Sequence, residues 1–333
     1  MRRFLGLISL FVIVGGLLAA CGTSKESTGS GSEGKEVVVG YFPNINHVPA
    51  MVAKDQGYYE EELGDGVTVK YMTFADGADF MNALKTDNID IGLVGPGPAM
   101  NHFDSGTDVK MIAGGSTGGT VVLARKDSGI GSIEDFDGKI FVTPRVGCTH
   151  DVQIETFLKE QGITSQRIGG TMKHQTGKPA QYEAFFDTGK VDIAVAPEPW
   201  ASVLQINTGA KVIIDHDEIS FGKTLPASVL VTSAKFIEEN ADLVQAVVNA
   251  HEKANNFIES NPEEAKAITL KDIEDITGQS LEKEVIDLAW ERIGFSLDLN
   301  QEDIQKFADS SYDLKFMKNA IDLTEIFDTQ FIE

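Results

Sequence analysis

The nine residues Thr86-Asp-Asn-Ile-Asp-Ile-Gly-Leu-Val94 are echoed by Thr188-Gly-Lys-Val-Asp-Ile-Ala-Val-Ala196. Both read Thr-x-x-apolar-Asp-Ile-x-apolar-apolar. Each ends in an apolar run of strand length, followed within two or three residues by a proline-containing turn and a helical pattern. An echo this short can arise by chance. The structured alternative is a pair of similar α/β lobes, each placing a turn at the carboxyl end of a strand. In such sheets ligands sit outside those carboxyl ends. A chain of 333 residues, 42% of them hydrophobic, is long and apolar enough for two cored lobes.

The rest of the sequence fits that division. Strands are expected at Glu36–Phe42, Val67–Phe74, Ile89–Val94 and Val109–Ala113. Helical spacing fills Val48–Tyr59 and the segments beginning at Asp76 and Ala99. This alternation predicts a mostly parallel sheet with helices on both faces. The pattern then restarts. Thr120–Arg125 is expected to cross into a second unit with strands at Ile140–Val142, Gly170–Lys173 and Val191–Ala196. Helices are expected near Asp151–Gln161, Pro179–Thr188 and Pro199–Gln205. Leu225–Thr232 looks like a return strand, and everything after Lys235 reads as helix, with Gly278 and Gly294 as breaks. Lobe I would be discontinuous, 36–122 plus 225–333, and lobe II would be 123–224, joined by two crossings.

The N-terminus is a targeting segment rather than part of the fold. Arg2 and Arg3 precede an apolar stretch from Phe4 to Leu18, too short to span a bilayer comfortably. Residues 1–20 read as a signal peptide. Leu18-Ala-Ala-Cys21 resembles the lipobox of bacterial lipoproteins, which implies cleavage before Cys21 and lipidation of its thiol. Residues 21–35, rich in Gly, Ser and Thr, form a flexible tether. The chain carries a formal charge of −23, and loss of the two arginines makes the mature form more acidic still. That balance argues against nucleic acid and anionic membrane surfaces as partners, but not against a small anion in a local cleft. With Cys21 lipidated no intramolecular disulfide is possible, and Cys148 is a lone thiol that reads as a packing residue.

The stretch Val142-Thr-Pro-Arg-Val-Gly-Cys-Thr-His-Asp151 leads from an apolar run into an amphipathic helix. A loose turn at a helix start frees N–H groups where the helix dipole is positive, with Thr149 a suitable N-cap. Arg145 adds a fixed positive charge. Together they can cradle an anion. The plainer alternative is an ordinary strand-to-helix turn whose arginine reaches solvent.

Several segments resemble one family. The lipobox, Val39-Gly-Tyr-Phe-Pro43, the Ala50–Gly57–Tyr58 helix, Asp90-Ile-Gly92, Gly95-Pro-Gly-Pro98 and Ala196-Pro-Glu-Pro-Trp200 are similar to ABC-transporter solute-binding proteins. The subgroup resembled takes up nitrate, taurine and aliphatic sulfonates, and has relatives that bind a thiamine pyrimidine precursor. The likeness runs over the whole chain from Val37. It implies a type II periplasmic-binding-protein-like α/β fold, two lobes on a two-strand hinge. It further implies a body at the outer face of a membrane, delivering one small anionic solute to an ABC permease and its cytoplasmic ATPase; a monomer without cofactor is expected. An exported enzyme of the same fold is the lesser alternative, because the chain lacks the cysteine-rich stretch of the relatives that make the thiamine pyrimidine.

On that reading five loops converge on a cleft. The first supplies Asn44, Asn46 and His47, which can equally be turn formers and a helix cap. The second offers Phe74 as an apolar wall or a core residue. The third, Gly95, Pro96 and Gly97, lets a ligand approach the backbone. The fourth, Gly114–Thr120, offers Ser116 and Thr117, or serves as a hinge. The fifth group is Arg145, Cys148, Thr149 with His150, Gln175, Glu198 and Trp200. Arg145 suits a sulfonate or nitrate, Trp200 a pocket floor or the core. Glu198 would orient Arg145 or bind an amine, as taurine or an aminopyrimidine would require. Other signals fail. Gly29–Lys35 spells G-x-x-x-x-G-K, but Glu36 follows and no strand precedes it. The six histidines lack paired metal spacing, and Cys148 and His150, two apart, do not face each other on a helix.

Overall fold

The computed structural model describes residues 34–332. The expected signal peptide and Cys21 lie outside these residues, and Lys35, the expected end of the tether, already begins a strand. The strands are β1 (Lys35–Tyr41), β2 (Val67–Thr73), β3 (Ile91–Val94), β4 (Lys110–Gly118), β5 (Thr120–Ala124), β6 (Ile140–Thr143), β7 (Lys173–Thr176), β8 (Ile193–Pro197), β9 (Lys211–Ile214), β10 (Pro226–Thr232) and β11 (Ile293–Phe295). They make two sheets, ordered β11-β4-β10-β3-β1-β2 and β7-β6-β8-β5-β9.

The helices are α1 (Val48–Asp55), α2 (Tyr58–Leu63), α3 (Gly77–Lys85), α4 (Pro96–Asp104), α5 (Thr149–Glu160), α6 (Tyr182–Asp187), α7 (Trp200–Val203), α8 (Ala234–Ser260), α9 (Pro262–Thr277), α10 (Lys283–Trp290) and α11 (Gln301–Asp313). They cover both faces of each sheet. Val37, Val39, Ile91 and Leu93 pack into one apolar cluster of the first sheet, while Val94, Met111, Val229 and Val231 pack into the other. In the second sheet Val122, Ala124, Ile193 and Val195 face one cluster, and Val121, Leu123, Ala194 and Ala196 face its opposite. Burial on both faces is why these strands read as unbroken apolar runs.

The echoed nonapeptides occupy matching places. Asp90 accepts the Val38 N–H at 2.8 Å and donates its own N–H to Val38 O at 3.0 Å. Asp192 accepts the Ile140 N–H at 3.0 Å and donates its N–H to Ile140 O at 2.8 Å. Each aspartate thus stitches the start of its strand to the parallel neighbour, β3 to β1 and β8 to β6.

The sheets are mixed rather than mostly parallel. Pairing is parallel at β2-β1-β3 and at β7-β6-β8, but β10 runs antiparallel to β3 and β4, and β5 antiparallel to β8 and β9. The chain changes sheet at β5 and returns at β10; those two crossing strands carry the reversal, and the short β11 adds another antiparallel pair against β4. The expected lobe boundary at 122/123 falls inside β5, which pairs entirely with the second sheet.

Three expected boundaries move. Gly114–Gly118 belongs to β4 rather than to a loop. A Cβ at Gly114 would lie 2.2 Å from Asp298 O and 2.7 Å from Ser296 O, so glycine serves close backbone packing there. The strand expected at 170–173 lies at Lys173–Thr176, the earlier residues being pinned by backbone bonds between Thr164–Gln166 and Gly170–Met172. Gly294 does not break a helix. It sits in β11, paired with Thr117.

Candidate functional site

Loops from the carboxyl ends of β1, β2 and β3 meet loops from the carboxyl ends of β6, β7 and β8 across a cleft. Its inner part is a cavity of about 60 Å³ lined by Asn44, Asn46, His47, Asp76, Gly95, Cys148, Thr149, His150 and Pro179 among others. It continues past Phe42, Asn44 and Pro179 into a chamber of about 390 Å³. A second outer space, about 480 Å³, adjoins Asp76, Pro144 and Arg145.

Three helices begin at the inner cavity. Gly77 opens α3, Gly95 caps α4 and Cys148 caps α5, and all three residues border it. Their dipoles put partial positive charge there without a formal cation. The N-cap of α5 is Cys148, not Thr149, and no side chain caps that helix. Thr149 Oγ1 instead accepts the Gly97 N–H at 3.2 Å. Gly95 and Gly97 are needed because the two helix starts touch: a Cβ on Gly95 would be 2.4 Å from Thr149 Oγ1, and one on Gly97 2.9 Å from Thr149 N.

His47 stands at the N-cap of α1 yet makes no capping bond. Its Nδ1 has no partner, and neither do His150 Nε2 and Asn46 Oδ1. Burial lowers the His47 pKa to about 3, with His150 and His251 adding repulsion, and burial lowers His150 to about 4. Both rings are therefore neutral near pH 7, each with a free nitrogen able to donate or accept. The Cys148 thiol is pushed up to about 12 by burial and by Asp151, so it is no nucleophile at neutral pH.

The remaining candidates divide. Phe74 and Trp200 wall the 390 Å³ chamber, and Trp200 Nε1 donates to Pro43 O at 3.3 Å. Arg145 borders the outer space. Its guanidinium bonds Asp76 at 2.9 Å, with Asp79 at 3.9 Å. Ser116 is buried and bonded to Ser228 at 2.9 Å, while Thr117 lies in β4 opposite Gly294, so neither borders these cavities. Pro96, Gly97 and Gln175 do not border them either: Pro96 and Gly97 pack in the first turn of α4, and Gln175 pairs with Val142 in β7. Glu198 does not orient Arg145. It is fully buried against Arg292 at 2.7 Å and accepts the Ser202 N–H at 2.9 Å.

Lys178, Pro179, Ile276 and Gln279 line the 390 Å³ chamber and were missed from sequence. Lys178-Pro179 follows the true end of β7, so correct placement of that strand would have found it. The C-terminal end of α9 carries no local signal.

Asp151, Glu155 and His174 bring carboxylate and imidazole atoms within 4.8 Å of one another beneath the Pro144–Cys148 loop. Arg167 Nη2 stands 3.2 Å from Glu155, and Ser165 Oγ donates to Glu155 at 2.8 Å. A guanidinium already supplies the positive charge that a metal would bring. Asp151 accepts the Gly147 N–H at 2.8 Å, and Thr143 Oγ1 bridges His174 Nε2 and Arg145 O. The cluster braces the loop.

Two α/β sheets with a cleft at their strands' carboxyl ends define a periplasmic-binding-protein fold, and solved structures agree. The alkanesulfonate-binding protein SsuA of Xanthomonas axonopodis pv. citri, bound to MOPS, superposes with a TM-score of 0.76 at 18% identity, covering 89% of this chain and 99% of that one. The periplasmic nitrate-binding protein NrtA of Synechocystis gives 0.71 at 17% identity, covering 90% and 87%. A protein of Bacillus subtilis (strain 168), provisionally named an aliphatic sulfonates-binding protein, is 26% identical over 335 residues, 98% of this chain and 96% of its own. The NMT1-like family model matches residues 30–271, and the chain belongs to that family.

Proposed function

We propose that this protein is the extracytoplasmic solute-binding component of an ABC importer and captures a small sulfonate-type anion between its two lobes. The observation that carries this reading is the meeting of the α3, α4 and α5 N-termini at one small cavity. An anionic head group there gains helix-dipole stabilisation and hydrogen bonds from the free nitrogens of His47 and His150. Neutral donors suffice for a permanently charged sulfonate. Arg145 acts by joining Asp76 across the cleft. Lobe I (36–122 plus 225–333) and lobe II (123–224) close by hinge motion at the crossing strands. The relatives named for sulfonates and nitrate support the ligand class.

The alternative ligand, an amine-bearing pyrimidine, needs a carboxylate. Asp76 is engaged by Arg145 and by the N–H groups of Ala78 and Asp79, and Glu198 by Arg292. Lipidation at Cys21 would hold the body at the membrane, since no helix among the described residues is long and apolar enough to cross one. A thermal-shift screen tests the ligand class. Alkanesulfonates should raise the melting temperature and hydroxymethyl pyrimidines should not, because only a ligand of the native state stabilises it. The reverse pattern would replace this reading with the alternative.

A further inference from the structure

The chain leaving α11 packs against residues that belong with the second sheet. At the helix end the Phe316 N–H bonds Ser311 O at 2.8 Å and the Lys315 N–H bonds Tyr312 O at 2.8 Å. Lys315 takes a left-handed backbone, φ 61°, where glycine is the usual residue. A residue with a side chain persists there only when its surroundings fix it. Asp104, which ends α4, does so by accepting the Lys318 N–H at 3.0 Å and Asn319 Nδ2 at 2.8 Å. The half-buried Phe316 is thereby placed between two segments that flank α5. Arg167 lays its guanidinium 3.6 Å from the Phe316 ring centroid, donates from Nη1 to Leu314 O at 2.6 Å, and holds Nη2 3.2 Å from the buried Glu155. On the other side a Cβ built on Gly147 would lie 3.5 Å from Phe316 Cδ1, so the ring backs the Pro144–Cys148 loop. Val152 of α5 and Ile168 pack into the same apolar cluster as Phe316.

Resting on the anion reading above, we infer that Phe316, clasped by Arg167, is a positioning residue: from behind the cleft it holds the Pro144–Cys148 loop against α4 and so fixes the start of α5 where the ligand is met. Phe316 borders none of the three cavities and does not touch the ligand. Its effect passes through Gly147, whose carbonyl accepts Asn101 Nδ2 of α4 at 2.8 Å and whose N–H donates to Asp151 at 2.8 Å. Cys148, the next residue, caps α5 and borders the inner cavity. An arginine that is stacked, bonded and ion-paired is held far more firmly than a lysine would be. Loosening the clasp frees the loop in the bound state, so the ligand leaves faster while its approach changes little.

The test compares the native protein with Phe316→Leu and Arg167→Lys. Leucine keeps apolar volume without a ring face, and lysine keeps a charge beside Glu155 without the planar fork. In hydrogen exchange without ligand, the amides of residues 145–151 should exchange on the order of tenfold faster in both variants, while those of β1 and β8 keep native protection. Stopped-flow binding of methanesulfonate, followed by Trp200 fluorescence, should show a dissociation rate raised on the order of tenfold and a near-native association rate. Native exchange at 145–151 in both variants would overturn the positioning role. Faster exchange throughout the chain would make Phe316 an ordinary packing residue and overturn it too. A faster loop with unchanged dissociation would break its link to the ligand. A native protein that binds no methanesulfonate would overturn the anion reading, and exchange at 145–151 would still decide whether Phe316 holds the loop.

Discussion

Arg292 donates from Nη1 to Glu198 Oε1 at 2.7 Å, with both side chains buried. The pair ties the residue before β11 in the first sheet to the loop after β8 in the second. Arg292 also reaches Asp215 at 3.1 Å and Gln205 at 3.1 Å, and its carbonyl accepts the N–H of Gly119 at 2.8 Å, where the chain crosses between sheets. Burial holds the Glu198 carboxyl above its ordinary range while the guanidinium pulls it down. Arg292→Met would strand that carboxyl and should cost about 3–5 kcal/mol in denaturant unfolding. Removing both charges, as Arg292→Met with Glu198→Met, should recover much of it. A double variant no more stable than the single one would show that the stranded charge is not the cause.

Arg145 and Asp76 face each other across the cleft mouth in a half-exposed pair. Such a pair adds about 0–1 kcal/mol to stability, so its importance lies in closure. Arg145→Ala and Asp76→Asn should weaken sulfonate binding to a similar extent, each by less than about tenfold. Asparagine keeps the N-cap of α3, which Asp76 supplies to Ala78 and Asp79. If Arg145→Ala alone costs about 2–4 kcal/mol of binding while Asp76→Asn costs nothing, the guanidinium grips the ligand itself.

The sequence could show what depends on local pattern. The paired nonapeptides were visible because Asp90 and Asp192 do the same backbone job in two sheets. The loops after β1 and β6 were visible because a buried apolar run ending in Pro, Gly and polar residues marks a strand end. What failed depended on distant partners. Ser116 looked like a loop donor because nothing local reveals Ser228 beside it or the 296–298 segment lying on Gly114. Glu198 looked like a partner for Arg145 or for an amine because Arg292, its true partner, is far along the chain. Three-residue β11 is too short to show a period, and the α9 contribution to the chamber is a packing outcome.

Gly97 bears on closure directly. Its Cα packs on the first turn of α5, and an added Cβ would also come 3.1 Å from Cys148 C and 3.2 Å from Gly147 O, all backbone that cannot swing aside. Gly97→Ala should push the α4 and α5 starts apart and hold the cleft open. Affinity for a bound sulfonate should drop by on the order of tenfold or more while thermal stability changes little, since each helix keeps its own core face. Small-angle scattering should show a larger radius of gyration with ligand than the native protein gives. Native-like compaction and affinity in this variant would mean that the contact is not part of the closed state.

His251 offers a clean reading of pH. It lies buried in α8 with Nε2 2.7 Å from Tyr59 Oη and Nδ1 unpartnered, and burial lowers its pKa to about 3. In the unfolded chain the same ring titrates near 6.5. Its contribution to stability is thus complete above pH 6.5 and is lost as pH falls toward 3, by at most about 1.4 kcal/mol per pH unit. His47 and His150 act in the same direction. The buried carboxyls of Asp90, Asp151 and Glu155 act oppositely, because burial raises their pKa and the native state binds their protons first. The native slope is a difference between these groups, so a variant is needed to isolate one. Between pH 7 and 5 the unfolding free energy of His251→Gln should fall less steeply than that of the native protein, whatever its absolute value. Parallel curves would mean that His251 takes up its proton in the fold as readily as in the unfolded chain.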